Sequence, residues 1–300
     1  MDSSKPARKR DGFQEHVTAD AQGLFPAERG RYHLYTSHAC PYSARPVLAR
    51  CVKQLDDVVS MSALSPVRGP DGWVFGSGEH ADPLNGFRSL REAYEATDPN
   101  YEGRVSVPVL WDRKTRRIVS TESGDIMRML GSAWDAVGGD VNVTLYPQPL
   151  RAQIDSINEW IARRVNDAVY NVGTATAQPV YERAHRKLLE ALDELEQRLA
   201  RSRFLLGNEP VESDWRLFPT LVRFDAVYAR LFKCTRRLVD MPNLWSYTRD
   251  LYQRPCIAAT VRHEEILRHY YRSFPALNPH GIVPLLASPD FSAAHDRNNI

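Results

Sequence analysis

Cysteine is scarce in this chain, with four in 300 residues, at positions 40, 51, 234 and 256. No pair has C-x-x-C spacing and no His/Cys cluster has zinc spacing, so neither a dithiol redox motif nor a structural metal is expected. Four scattered cysteines are too few for the disulfide framework of a small secreted domain, and a reducing compartment fits better. Charge of one sign is lacking too. Lys and Arg total 39 against 37 Asp and Glu, and the net charge of +2 gives no electrostatic footprint for nucleic acid. Long apolar runs are missing: nothing approaches the ~20 residues of a membrane span, and the opening residues hold no apolar signal-peptide core. The expectation is a cytoplasmic protein whose partners include neither nucleic acid nor a membrane.

What is present is 43% apolar residues, enough for two cores at this length. Residues 1–30 are polar and hold Lys5, Arg8, Lys9 and Arg10, which reads as a mobile or surface-wrapping arm of solvated charge. Residues 31–145 read as an α/β unit. Tyr32 to Tyr35 alternates like a strand and Pro41 to Leu55 like a helix. A loop rich in Gly and Pro covers 62–88, with Trp73 and Phe75 inside it. Then come a helix from Ser89 to Ala96, a strand over Arg104 to Trp111 with Pro108 in its middle, Ile118-Val119, and a helix from Glu122 to Leu130. Residues 146–285 are helical in period throughout, over 150–170, 178–201, 212–232 and 243–268, and 286–300 form a tail. Leu188, Leu189, Leu192, Leu195 and Leu199 make a stripe that should pack on neighbouring helices.

Cys40 stands where the first helix begins. A cysteine there faces unpaired amides and the positive end of the helix dipole, which favour thiolate over thiol. Pro41 fits the first helical position because its missing N–H would be unbonded anyway. In Cys40-Pro-Tyr-Ser43 a serine replaces the second cysteine of a dithiol motif. Cys51, roughly 16 Å along the same helix, is too far to resolve Cys40 and reads as a core residue. A monothiol nucleophile needs a second thiol from solution, and glutathione is the abundant cytosolic one.

Three further features suit a γ-glutamyl tripeptide. Pro108 cannot donate to a ladder, and a cis Val107-Pro108 bond would turn the Val107 backbone outward to pair with an extended peptide; an edge-strand proline is the alternative. Thr121-Glu122-Ser123 opens a helix, so backbone amides and the Ser123 hydroxyl can receive a carboxylate while Glu122 accepts from an α-ammonium; ordinary capping explains the same residues. Arg104 can pair with a second carboxylate or be only a surface arginine.

With Cys40, Val107-Pro108 and Glu122-Ser123 in this order ahead of an all-helical half, the sequence resembles the cytosolic glutathione transferases. That resemblance implies an α/β plus all-α fold, a thioredoxin-like N-terminal domain followed by a helical domain. Cys40-Pro-Tyr-Ser-Ala-Arg45, Gly72-Trp73-Val-Phe75, Gly103-Arg-Val-Ser-Val-Pro-Val-Leu-Trp-Asp112, Asn166-Asp-Ala-Val-Tyr170, Val222-Arg-Phe-Asp225 and His269-Tyr-Tyr271 sharpen it to the glutathionyl-hydroquinone reductases, the Xi class, over about residues 10 to 285. It implies that Cys40 is the nucleophile and that Trp73, Arg104, Val107, Glu122 and Ser123 form the site of glutathione, the co-substrate. It also implies that Tyr170 and Tyr270 face a quinol, with Tyr271 the alternative to Tyr270, in a homodimer without a metal. Rival readings are an omega-like thioltransferase or dehydroascorbate reductase, which would not use the tyrosines, and a non-catalytic module of the same fold.

The chain departs from that family at identifiable places. The family's usual Cys-Pro-Trp-Ala-His-Arg is Cys-Pro-Tyr-Ser-Ala-Arg here, and its second asparagine and glycine before the helical tyrosine are Asp167 and Ala168. These changes fall on the electrophile side and bear on the substrate. Val211 replaces the usual Thr/Ser cap before Asp214, which should weaken that helix start by ~1 kcal/mol unless Ser213 substitutes.

Overall fold

The computed structural model describes residues 12–285 and 289–299. The basic run from Lys5 to Arg10 and part of the tail, 286–288 and 300, lie outside the described residues.

Four strands make one mixed sheet. They are β1 (Tyr32–Thr36), β2 (Ser60–Ala63), β3 (Val109–Asp112) and β4 (Arg117–Ser120), in the order β2-β1-β3-β4. β1 runs parallel to β2 and antiparallel to β3, which pairs antiparallel with β4. Every residue of β1 is buried, as a central strand covered on both faces requires. Helices α1 (Pro41–Val52), α2 (Leu90–Thr97) and α3 (Ser123–Leu130) cover the sheet. Arg31 ties the ends of two strands together, donating from Nε and Nη2 to both carboxylate oxygens of Asp112 at 2.9 and 2.7 Å.

β2 is absent from the sequence reading. Its residues, Ser-Met-Ser-Ala, are short and half polar, and only pairing with β1 makes them a strand. The strand expected over Arg104 to Trp111 begins instead at Val109, directly after Pro108. Pro108 offers no N–H to a ladder, and the preceding backbone is claimed by Tyr94, whose hydroxyl donates to the Ser106 carbonyl at 2.9 Å. Of the stretch before β1, residues 13–15 run beside β4: the Glu15 N–H donates to the Val119 carbonyl and the Thr121 N–H to the Phe13 carbonyl.

The rest of the chain is helical, with α4 (Arg151–Ile161), α5 (Ala168–Gly173), α6 (Gln178–Leu199), α7 (Glu212–Leu221), α8 (Pro242–Tyr252), α9 (Ile257–Thr260) and α10 (His263–Ser273). Wide π turns at Ala162–Asn166 and Phe224–Tyr228 break what the periodicity reads as continuous helices. On α6, Leu188, Leu192, Leu195 and Leu199 are buried in the stripe read from the sequence, with Leu189 only partly covered. The α7 start is held differently from expectation: Asp214 accepts the Val211 N–H at 2.8 Å and the Leu205 N–H at 3.0 Å, while Ser213 Oγ has no hydrogen-bond partner among the described residues. The carboxylate thus does from inside the first turn what a capping hydroxyl does from outside.

One reading is corrected outright. Cys51 is buried, but it forms a disulfide with Cys256, their Cα atoms 6.1 Å apart. Spacing along α1 excludes only Cys40 as a partner. The residue that reaches Cys51 comes from 205 positions downstream, where the start of α9 packs against α1.

Candidate functional site

The central feature is the entry into α1. Cys40 is its N-cap in extended backbone, Pro41 follows at the first helical position, and no acidic residue occupies the first turn. Cys40 is half-buried and free of any disulfide. Ser43, in the place of a second cysteine, is buried and accepts the Ser37 N–H at 3.1 Å, which fixes the loop ahead of the helix.

A second clamp comes from the helical half. Arg223, 2% exposed, donates from Nε to the Ala39 carbonyl at 3.1 Å, from Nη2 to the His38 carbonyl at 2.8 Å and from Nη1 to the Pro219 carbonyl at 2.7 Å. Its guanidinium therefore positions the two residues preceding Cys40.

Cys40 opens onto a cleft of about 1070 Å³ between the two halves. Pro41, Trp73, Arg104, Val107, Pro108, Glu122 and Ser123 line one side of it, so the structure gathers all five residues read as a glutathione site around the same space as Cys40. The Val107-Pro108 bond is cis. Glu122 is the exposed N-cap of α3 and leaves its side chain out of capping, while Ser123 accepts from buried Arg45 Nη1 at 3.2 Å. Arg45 lies 4.6 Å over the Tyr42 ring, and burial lowers its pKa to about 10. Trp73 stacks on His269 with ring centroids 5.3 Å apart, and the Arg68 guanidinium lies 5.5 Å from the Trp73 ring on the cleft wall.

His269 Nδ1 is 2.6 Å from the Pro66 carbonyl, which can only accept. Burial lowers the His269 pKa to about 4, so the ring is neutral at pH 7 with its proton on Nδ1.

Tyr42, from the first half of the chain, and Asp167, Tyr170, Asn171 and Phe274, from the helical half, also line the cleft. Tyr170 and Tyr270 share a hydroxyl hydrogen bond of 2.6 Å, and Tyr270 shares another of 2.9 Å with Tyr228. Burial raises all three phenols above their ordinary value, Tyr270 to about 12, which keeps them protonated at neutral pH. Tyr170 is the member that lines the cleft, and Tyr270 stands fully buried behind it. Tyr271 points away, donating to the Ala226 carbonyl at 3.1 Å.

Arg223, Tyr228, Arg68, His269 and Phe274 were not read from the sequence as site residues. Tyr228 sits in an apolar run where a phenol signals only a polar tip needing a partner, and Arg223 is one of many arginines until its three carbonyls are known. Elsewhere Glu79, His80 and Glu265 bring ligand-type atoms within 4.8 Å of one another, in a partly exposed group that includes none of the residues just described.

A cysteine heading the first helix of a thioredoxin-like unit, opposite a helical half, is the arrangement of a glutathione transferase. Residues 39–133 match the family profile of the glutathione S-transferase N-terminal domain and residues 178–250 that of the C-terminal domain. The glutathionyl-hydroquinone reductase YqjG of Escherichia coli (strain K12) is 42% identical over 97% of this chain and 92% of its own length. PcpF of Sphingobium chlorophenolicum, another glutathionyl-hydroquinone reductase, is 43% identical over 87% of this chain and 84% of its own. The glutathione-bound structure of YqjG superposes with a TM-score of 0.92 at 42% identity, covering 95% of this chain and 96% of that one. A Xi-class transferase from Natrialba magadii gives 0.94 at 39% identity, covering 100% and 94%. The chain belongs to the Xi-class glutathione transferases, the family of the glutathionyl-hydroquinone reductases.

Proposed function

We propose that this protein removes glutathione from glutathionyl-hydroquinones, with Cys40 as nucleophile and glutathione as co-substrate. Trp73, Arg104, Val107, Glu122 and Ser123 hold the tripeptide, the α3 start and Glu122 taking its α-amino-acid end. The Cys40 thiolate attacks the glutathione sulfur. The carbon–sulfur bond breaks, its electron pair and a proton pass to the ring carbon, and a Cys40–glutathione disulfide remains. A second glutathione thiolate attacks that disulfide, releasing glutathione disulfide and the Cys40 thiolate. The quinol carbon is reduced and two sulfurs are oxidised. Carbon is a poor leaving group from sulfur, so the ring leaves from a keto tautomer whose oxygen takes a hydrogen bond from Tyr170, with Tyr270 donating to Tyr170 from behind.

The observation that carries this reading is the Tyr170–Tyr270–Tyr228 hydroxyl chain at the wall of the Cys40 cleft, since small mixed disulfides need no such donor. Turnover of a glutathionyl-hydroquinone by the wild type and its loss in Cys40→Ala, with glutathione affinity kept, test it; an active Cys40→Ala protein overturns it. We further propose that residues 31–145 and 146–285 are the two domains, and that the protein works in the cytoplasm as a homodimer. Among the described residues no helix is long and apolar enough to cross a membrane.

A further inference from the structure

Tyr42 and Asp167 meet across the cleft from the two halves of the chain. The Tyr42 hydroxyl donates to Asp167 Oδ1, 125 residues away in sequence. Tyr42 lies two residues after Cys40 in the first turn of α1. Asp167 follows the first π turn and precedes Tyr170 by three positions, which puts both on one face of the helix. Both residues of the bridge line the cleft together with Cys40, and the Tyr42 and Tyr170 rings are 6.5 Å apart.

Among the described residues no lysine or arginine forms a salt bridge with Asp167; the buried Arg45 acts on it only through space, spending its Nη1 on Ser123 and lying against the Tyr42 ring. The two arginines that line the cleft, Arg68 and Arg104, stand with Trp73 and Val107 among the residues proposed to hold glutathione or beside them. A ring held between Cys40 and Tyr170 therefore meets a carboxylate that no ion pair neutralises, and the attacking Cys40 thiolate adds charge of the same sign.

We infer that Asp167, held in the cleft wall by Tyr42, is a specificity residue that admits uncharged hydroquinone rings and disfavours rings carrying a carboxylate. The inference rests on the proposed function for the identity of the ligand, but it is read by binding alone, without turnover. Two carboxylates a few ångströms apart at a half-wet site repel enough to change affinity by roughly tenfold, and salt weakens the effect.

The test uses the Cys40→Ala protein, which lacks the thiolate and isolates Asp167. Its affinities are measured for glutathionyl-hydroquinone and for the same compound bearing a ring carboxymethyl group. The expected result is roughly tenfold tighter binding of the uncharged compound, falling to within about twofold in Cys40→Ala/Asp167→Asn, where the amide oxygen still accepts from Tyr42. Cys40→Ala/Tyr42→Phe, which breaks the bridge and keeps the charge, retains the discrimination. Equal affinities in Cys40→Ala, or a gap that survives Asp167→Asn, overturn the inference. Failure of the proposed function shows separately, as a wild-type protein that binds these compounds without turning them over.

Discussion

The hydroxyls of Tyr170 and Tyr270 lie 2.6 Å apart, and a second hydrogen bond of 2.9 Å between Tyr270 and Tyr228 joins all three into one chain. Each phenol has one proton to give. When Tyr228 donates to Tyr270 and Tyr270 to Tyr170, the Tyr170 proton is left to point into the cleft. Tyr170→Phe is expected to lower kcat on a glutathionyl-hydroquinone by roughly a hundredfold, the cost of one donor to developing charge, while exchange with a small glutathione mixed disulfide is unchanged. Tyr228→Phe should cost several-fold. Equal losses on both substrates would remove the tyrosines from the chemistry.

Arg223 makes a different kind of contribution. Truncating it to Ala leaves the carbonyls of His38, Ala39 and Pro219 without a donor, two of them immediately before Cys40. A loss of about 2–4 kcal/mol in denaturant unfolding is expected, with slower Cys40 alkylation as the loop loosens. Arg223→Lys, which cannot span three carbonyls, should recover only part of it.

The cysteines give a chemical count. Cys40 and Cys234 are free, Cys51 and Cys256 are paired, and burial pushes the Cys234 thiol up to about 12. Iodoacetamide should label only Cys40 in the native protein at pH 7. After unfolding without reductant two thiols should react, and after reduction all four; a third thiol before reduction would contradict the Cys51–Cys256 bond.

His269 sets a pH dependence of stability. Its folded pKa is lowered to about 4 from 6.5, so the unfolded chain binds the extra proton and stability is lost as pH falls from about 6.5 towards 4. His33 and His38 act in the same direction, and Asp214, raised to about 6, in the opposite one. The comparison that isolates His269 is wild type against His269→Gln: the difference in unfolding free energy should shrink by roughly 1–3 kcal/mol between pH 7 and pH 4.5. A pH-independent difference would mean that the ring is not held neutral by burial.

Much of this architecture was legible because it is local. The helix start at Cys40-Pro41 and the punctuated loop around Trp73 announce themselves in a few residues, and so do the cis-prone Val107-Pro108 and the opening of α3 at Glu122-Ser123. Long-range relationships were not legible. β2 is a strand only because β1 lies beside it, and Cys51 finds Cys256 only when α9 packs on α1. Arg223 and Tyr228 acquire roles from atoms that the sequence places far away. Tyr42 and Asp167 were each visible as departures from the family pattern, but their hydrogen bond across the cleft was not.

The most direct test of the account is a single turnover of wild-type protein with one equivalent of a glutathionyl-hydroquinone and no free thiol, followed by intact-mass and peptide mass spectrometry. Free hydroquinone should appear together with glutathione in disulfide linkage on Cys40, and added glutathione should release it as glutathione disulfide. Hydroquinone formed without a Cys40 adduct, or an adduct on another residue, would contradict the account.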